Sequence, residues 1–323
     1  MLGGEKGEEM VDSFGRKINY LRLSVTDLCN LRCVYCMPAS GCQKLEHHDI
    51  LRVEELITVA RAAVRCGIDK IRITGGEPLV RRGILDICRG IGALEGVREL
   101  CMTTNGTLLP RYAAELKAAG VDRLNISIDT LDAARYREIT RGGALDDALA
   151  GLHAAKEAGF TGTKVNAVLM TDDPAELRAF VELADREDVE LRFIELMPIG
   201  ECAAWDESRF IPGDAVLRAL PELVPAGEDG VARRYRMPGK RGAIGLIKPL
   251  SQHFCPSCNR IRVTADGKLK PCLHSAAEIP LRGLSEDAMA ETIRAAIEAK
   301  PQRHHLSATN ASESLRRMHE IGG

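Results

Sequence analysis

The sequence predicts an α/β fold: an incomplete, open-sided (β/α)6-type, TIM-like barrel followed by a C-terminal extension with a second cysteine set. Three observations lead there. Strand-like apolar runs alternate with helix-period segments six times before residue 198, which demands parallel strands joined by right-handed crossovers. The alternation then stops, short of the ~250 residues that a closed eight-unit barrel takes. Finally, Cys29, Gly76, Thr103, Ser127 and Met197 all fall at or just after strand ends, so a parallel fold gathers them at one mouth. A doubly wound open sheet satisfies the same periodicity.

The elements follow in order. Tyr20–Thr26 alternates and is β-rich, so it reads as a first strand ending at a cysteine loop. Val53–Cys66 has helical spacing and is stopped by Gly67. Strand Lys70–Thr74 leads into the turn Gly75-Gly76-Glu77-Pro78, then helix Ile84–Leu94, strand Glu99–Thr103 and helix Pro110–Ala119. Strand Arg123–Ile128, helix Asp146–Ala158, strand Thr163–Met170, helix Pro174–Arg186 and strand Glu190–Leu196 complete the run. Beyond residue 200 prolines punctuate the chain up to Gly242–Leu250. Arg260–Thr264 and Lys268–Cys272 then flank Ala265-Asp266-Gly267 as a hairpin, and Ser285–Lys300 is helical. The organisation expected is a flexible lead over 1–13, a partial barrel over 14–220 and a C-terminal region over 221–323 that ends in Gly322-Gly323.

Composition narrows the function classes. With 44 Lys and Arg against 46 Asp and Glu, the formal net charge of −2 offers no general attraction to nucleic acid or an anionic membrane. Basic residues that matter must act locally, which suits a small anionic ligand. Met1–Met10 lacks the apolar core of a signal peptide, and no apolar run approaches the ~18–20 residues that span a bilayer. Eleven cysteines, six of them in two compact sets, point to metal chemistry in a reducing cytoplasm rather than to disulfides.

The first set, Cys29, Cys33 and Cys36, has C-x3-C-x2-C spacing. Three thiolates so close can hold three irons of a cubane cluster and leave the fourth open. Open coordination is what separates a reactive metal site from a closed structural one. A zinc knuckle or an electron carrier normally needs a fourth ligand. With Tyr35 beside the last cysteine, the spacing resembles that of radical S-adenosylmethionine (SAM) enzymes.

The second set, Cys255, Cys258 and Cys272, fits a cluster or, with His253 or His274, a Cys3His zinc site. Arg260 and Arg262 alternate onto one face of the next strand, where they suit a phosphorylated ligand. Arg22, Arg72 and Lys164 fall in strands, where charge needs a partner: a ligand anion, or a carboxylate such as Asp129 or Glu195. Cys42, Cys66, Cys88, Cys101 and Cys202 read as small hydrophobes or incidental thiols.

These motifs together, from Asp12-Ser13-Phe14-Gly15-Arg16 to Gly322-Gly323, resemble the MoaA-type GTP 3′,8-cyclase family over almost the whole chain. The resemblance runs through Arg72–Pro78, Thr103-Thr104-Asn105-Gly106, Leu124–Asp129, Arg192–Pro198 and Phe254–Arg262. It implies two 4Fe–4S clusters, held by Cys29, Cys33 and Cys36 and by Cys255, Cys258 and Cys272, with SAM on the open iron of the first. Tyr35, Gly76, Ser127 and Met197 match SAM-contact positions. Arg22, Arg72, Thr103, Lys164, Arg260 and Arg262 match GTP-contact positions, with guanine at the second cluster.

The activity implied is conversion of GTP to 3′,8-cyclo-7,8-dihydro-GTP through a 5′-deoxyadenosyl radical, the first step of molybdenum-cofactor biosynthesis. The partners implied are a reductant such as flavodoxin or ferredoxin and the next pathway enzyme, cyclic pyranopterin monophosphate synthase. A homodimer is compatible with the resemblance. The rival readings are a radical SAM peptide-modifying enzyme and a non-catalytic iron–sulfur electron carrier.

Overall fold

The computed structural model describes residues 10–41, 48–307 and 312–322. Strands β1 (Tyr20–Ser24), β2 (Lys70–Thr74), β3 (Glu99–Thr104), β4 (Arg123–Ser127), β5 (Lys164–Leu169) and β6 (Glu190–Glu195) form the predicted parallel run. Helices α1 (Val53–Val64), α2 (Ile84–Gly92), α3 (Leu109–Ala118), α4 (Ala133–Thr140), α5 (Leu145–Glu157) and α6 (Pro174–Glu187) supply the crossovers. Beyond them come α7 (Asp214–Ala219), β7 (Val224–Asp229), β8 (Ala232–Arg236), β9 (Ala243–Ile247), β10 (Arg260–Val263), β11 (Lys268–Lys270), β12 (Ile279–Pro280), α8 (Glu286–Glu298) and α9 (Met318–Ile321).

The sheet order is β12-β11-β10-β1-β2-β3-β4-β5-β6-β9-β8-β7. Two strands from the C-terminal half therefore extend the parallel run, β10 beside β1 and β9 beside β6. That is a difference from the expectation that the barrel strands end near residue 198. The apolar run Ala243–Ile247 buries well enough to act as a further barrel strand, although no α-helix lies between it and β10. Among the described residues β12 and β7 form the two edges of the sheet and do not pair with each other, so the barrel stays open.

Alternation assigns the two faces. Leu21, Leu23, Ile71, Ile73, Leu124, Ile126, Val165 and Leu191 point outward into the core beneath the helices. Their neighbours Tyr20, Arg22, Arg72, Asn125, Ser127, Lys164 and Arg192 line a single inner cavity. One face of eight parallel strands can converge on one cavity only if the sheet curls, which decides for a partial barrel over a flat doubly wound sheet.

Local chemistry explains most boundaries. Pro174 opens α6 behind Asp173, which accepts from Ala175 N–H at 3.0 Å. Ser285 caps α8. Helix α4 was not expected, since its polar run Ala133–Thr140 shows little stripe; Asp132 starts it by accepting from Arg135 N–H at 2.7 Å.

The lead is not loose throughout: Val11 bridges Lys17, and Asp12 is buried against Arg16 at 2.6 Å. The boundary expected at 220/221 falls between α7 and β7. Cys66, Cys88, Cys101 and Cys202 are buried, as small hydrophobes would be, while Cys42 lies outside the described residues. No helix among the described residues is long and apolar enough to cross a membrane.

Candidate active site

The sequence-predicted residues meet in one cavity of about 670 Å³. Cys29, Cys33, Tyr35, Cys36, Gly76, Ser127 and Met197 line it, as do Arg22, Arg72, Thr103, Lys164, Arg260, Arg262, Cys255, Cys258 and Cys272. Strand direction sorts them. The loop carrying Cys29, Cys33 and Cys36 leaves the carboxyl end of β1. Cys255 and Cys258 precede the amino end of β10, which runs parallel to β1, and Tyr20 N–H donates to Asn259 O at 3.1 Å. Antiparallel β11 returns Cys272 to the same end. The two sets thus sit at opposite ends of adjacent strands, separated by about 15 Å of strand rise.

Main-chain bonds shape the first loop. Gly76 N–H donates to Thr26 O and Glu77 N–H to Leu28 O, both at 2.8 Å, which zips the Gly-Gly-Glu-Pro turn to the loop. A Cβ on Gly76 would fall 2.4 Å from Leu28 O and 2.7 Å from Asp27 O, so only glycine fits there. Glu77, fully buried, accepts from Leu79 N–H, Thr104 Oγ1 and Asn105 N–H and fixes the turn from beneath. On the far side, Arg32 N–H and Val34 N–H donate to Thr140 O and Ile139 O at the end of α4. Tyr35 Oη donates to Asp129 Oδ2 at 2.7 Å, and Asp129 also accepts from Val168 N–H.

The donor set fits an iron–sulfur cluster. Burial, then Asp129 and the sulfurs of Cys36 and Cys29, push the Cys33 thiol far above its ordinary range; burial and Cys29 do the same to Cys36. Three half-buried sulfurs that disfavour one another's ionisation need a multivalent cation between them before all can be thiolates. At the second set, burial is outweighed by Lys300 and Arg260, which lower the Cys258 thiol. Cys255 is instead raised by burial and by its neighbours Cys272 and Cys258. Of the two histidines the spacing offers as a fourth ligand, His274 shares its Nδ1 with Ser312 Oγ at 3.3 Å. His253 lies with Cys255 and His304, all three ligand atoms within 4.8 Å.

Between the two sets runs a basic band set by strand register. Arg22 stands opposite Arg72 on one side and Arg262 on the other, while Tyr20 stands between Lys70 and Arg260. Like charges directly opposite on a sheet repel. Burial and then Arg260 lower Arg262 to about 10, and burial followed by Arg262 lowers Arg22. An anion would relieve both.

Asp129 and Glu195, the carboxylates considered as partners for the strand cations, are committed elsewhere. Asp129 holds Tyr35, and Glu195 accepts from Gly213, Leu250 and Ser251 N–H. Lys164 pairs instead with Asp229 at the β7–β8 hairpin tip and with Glu190 at 3.7 Å; Arg72 donates to Tyr20 Oη and Met102 O. The sequence reading missed Lys70 and Arg192, which line the same cavity. Alternation from Arg72 could have found Lys70, whereas Arg192 is placed by its register with Asn166, which only the structure gives.

The C-terminal tail enters this space. Gly322 O accepts from Arg262 Nη1 at 2.8 Å and from Arg22 Nη2 at 3.3 Å. Gly322 has φ +79°, and a Cβ there would meet Thr74 Oγ1 at 2.4 Å. Gly323 lies outside the described residues.

Comparison with known proteins decides the lineage. The family model of the Radical SAM superfamily matches residues 23–184, and that of Molybdenum Cofactor Synthesis C matches residues 189–306. GTP 3′,8-cyclase of Alkaliphilus oremlandii is 47% identical over 322 residues, covering 97% of this chain and 100% of that protein. The chain belongs to the GTP 3′,8-cyclase family of radical SAM enzymes. GTP 3′,8-cyclase of Geobacter sulfurreducens is 48% identical over 326 residues, covering 98% and 100%. Among solved structures, Streptococcus suis SuiB bound to precursor peptide SuiA superposes with a TM-score of 0.61 at 14% identity. It covers 88% of this chain and 65% of that one, a likeness of fold alone.

Proposed function

We propose that the chain is a GTP 3′,8-cyclase that converts GTP to 3′,8-cyclo-7,8-dihydro-GTP, using SAM and two 4Fe–4S clusters. The observation that carries this reading is the pairing of two three-cysteine sets at opposite ends of one cavity with a band of arginines between them. An electron carrier has no use for a substrate-sized cavity crossed by a band of close-set arginines, and a peptide offers them no triphosphate.

When bound, SAM and the first cluster supply the carbon-centred radical that takes hydrogen from the ribose of GTP. The protein's work is placement. Cys29, Cys33 and Cys36 hold the first cluster, and the Gly-Gly-Glu-Pro turn offers bare backbone at Gly76 to the methionyl end of SAM. Tyr35, Ser127 and Met197 border the same end of the cavity, and Asp129 fixes the Tyr35 ring.

Cys255, Cys258 and Cys272 hold the second cluster at the guanine end. Arg22, Arg72, Lys164, Arg260 and Arg262, with Lys70 and Arg192, bind the triphosphate, and Thr103 lines the same wall. Anchoring the nucleotide at both ends leaves its ribose little freedom, the ordering that brings reacting atoms into near-attack geometry.

In this reading the enzyme works in the cytoplasm, takes electrons from a small reductant such as flavodoxin or ferredoxin, and passes its product to cyclic pyranopterin monophosphate synthase. The deciding experiment is anaerobic reconstitution with iron and sulfide, followed by SAM, a strong reductant and GTP. 5′-Deoxyadenosine and a pterin-convertible product must appear together. 5′-Deoxyadenosine alone gives the substrate to another radical SAM reaction, and neither product, with both clusters intact, returns the chain to electron transfer.

A further inference from the structure

The tail carries into the cavity one side chain that the reading above leaves unused. His319, in α9, is 1% exposed and lines the cavity on the side of the first cysteine loop. Its Nδ1 lies 3.1 Å from Cys36 O. A carbonyl can only accept, so Nδ1 carries the hydrogen and the lone pair of the neutral ring sits on Nε2. That Nε2 is buried and has no hydrogen-bond partner among the described residues. Buried polar atoms are almost always paired in a working protein, so a bare acceptor on a residue that lines a ligand cavity marks a place where the ligand brings the donor.

The ring is held firmly enough to be selective. Arg316 ties the segment before it to Asp266 at 3.0 and 2.8 Å and to Glu278 at 2.6 and 2.8 Å. Arg317 pairs with Glu201 at 3.1 Å, and Gly322 O is gripped by Arg262 after it. A side chain fixed on both sides discriminates between ligands at little cost in ordering.

We propose that His319 Nε2 accepts a hydrogen bond from a ribose hydroxyl of a nucleoside bound in the cavity, which makes it a positioning residue for the reacting sugars. The inference rests on the GTP 3′,8-cyclase reading. In that reading the SAM ammonium goes to the cluster and the glycine turn, and the guanine lies at the opposite cysteine set. The donors left near Cys36 are the hydroxyls of the two ribose rings, that of SAM and that of GTP.

The test separates the two sources and separates this inference from the reading beneath it. Dissociation constants are measured by anaerobic calorimetry on the reconstituted full chain for GTP, 2′-deoxy-GTP, 3′-deoxy-GTP, SAM and the 2′- and 3′-deoxyadenosyl analogues of SAM. His319→Asn keeps a donor for Cys36 O through its amide but places no atom at the Nε2 position. His319→Gln places an amide oxygen there. The expected result is a loss of about three- to tenfold in affinity for one nucleoside in His319→Asn, the range of one neutral hydrogen bond. The preference of the unmodified enzyme for that nucleoside over one deoxy analogue disappears with it and returns in His319→Gln.

A GTP-specific loss assigns the hydroxyl to the substrate, a SAM-specific loss to the cofactor. Unchanged affinities and unchanged ribo-over-deoxy preference in His319→Asn overturn the proposal while leaving the cyclase reading intact. If the unmodified enzyme binds neither GTP nor SAM, both fall. If His319→Asn fails to retain cluster iron, His319→Gln decides: ribo-over-deoxy preference retained supports the acceptor, and preference lost overturns it.

Discussion

Replacing Gly76 with alanine probes the joint between the glycine turn and the first cysteine loop. The added methyl would sit 2.4 Å from Leu28 O and 2.7 Å from Asp27 O, both main-chain atoms. Ordinary carbon–oxygen contact begins about 1 Å farther out. Leu28 is bonded to Cys29, so the loop can yield only by carrying with it the ligand proposed for the first cluster or by breaking the 2.8 Å bond from Glu77 N–H to Leu28 O. Overpacking of this kind costs about 1–3 kcal/mol of stability. A displacement near 1 Å at reacting groups costs about a hundredfold in rate. Expected, then, is a folded protein with reduced first-cluster iron, or with full iron and a roughly hundredfold slower release of 5′-deoxyadenosine. Iron analysis with cluster spectroscopy, anaerobic SAM-binding titration and a timed SAM-cleavage assay read iron content, SAM affinity and rate. Gly76→Ala with native iron content, SAM affinity and cleavage rate would refute the steric argument.

Further outcomes follow from other parts of the cavity. Cys255→Ser is expected to keep the first cluster and lose cyclisation of GTP; full activity would remove the second set from the site. Arg260→Ala should weaken GTP by roughly ten- to a hundredfold, the span of a charged hydrogen bond, and guanosine much less. Equal losses would deny Arg260 a triphosphate role. Burial raises the Tyr20 phenol, but Arg72, Arg22 and Arg260 outweigh it and bring it down to about 8. Its ionised form therefore stabilises the fold by about 2–3 kcal/mol above the ordinary tyrosine value near 10, and that contribution fades as the pH falls through 8. Ultraviolet titration of the metal-free protein should show a phenolate near pH 8 that is absent in Tyr20→Phe and shifts upward with GTP. Arg316→Ala removes contacts to both Asp266 and Glu278, so limited proteolysis should cut the tail about tenfold faster with the barrel intact; an unchanged rate would show that the tail is held elsewhere.

Much of the barrel was legible because each strand carries its own alternation and each helix its own stop. Lys70–Thr74 was read to the residue, and the β10–β11 hairpin turns at Ala265-Asp266-Gly267 as its residues suggest. Where signals were weak, reading failed. Helix α4 is short and polar, and β7 and β8 are an exposed edge hairpin interrupted by Pro225 and Gly227. The candidate residues were legible by type and spacing, since thiolates, bare glycine backbone and paired arginines have few other uses in such positions.

The sequence by itself determined the local chemistry: three close cysteines twice over, a glycine turn after a strand, and arginines spaced to share a face. Only the tertiary structure decided how these parts meet. Pairing β10 with β1 joins residues some 240 positions apart, and it is this contact that sends the two cysteine sets to opposite ends and lines up Arg72, Arg22 and Arg262. The path of the tail, with Gly322 between two arginines and His319 against Cys36, likewise has no periodicity behind it. Hydrophobic alternation and turn propensity act over a few residues. Strand order and the docking of a chain end depend on surfaces that exist only once the sheet has curled.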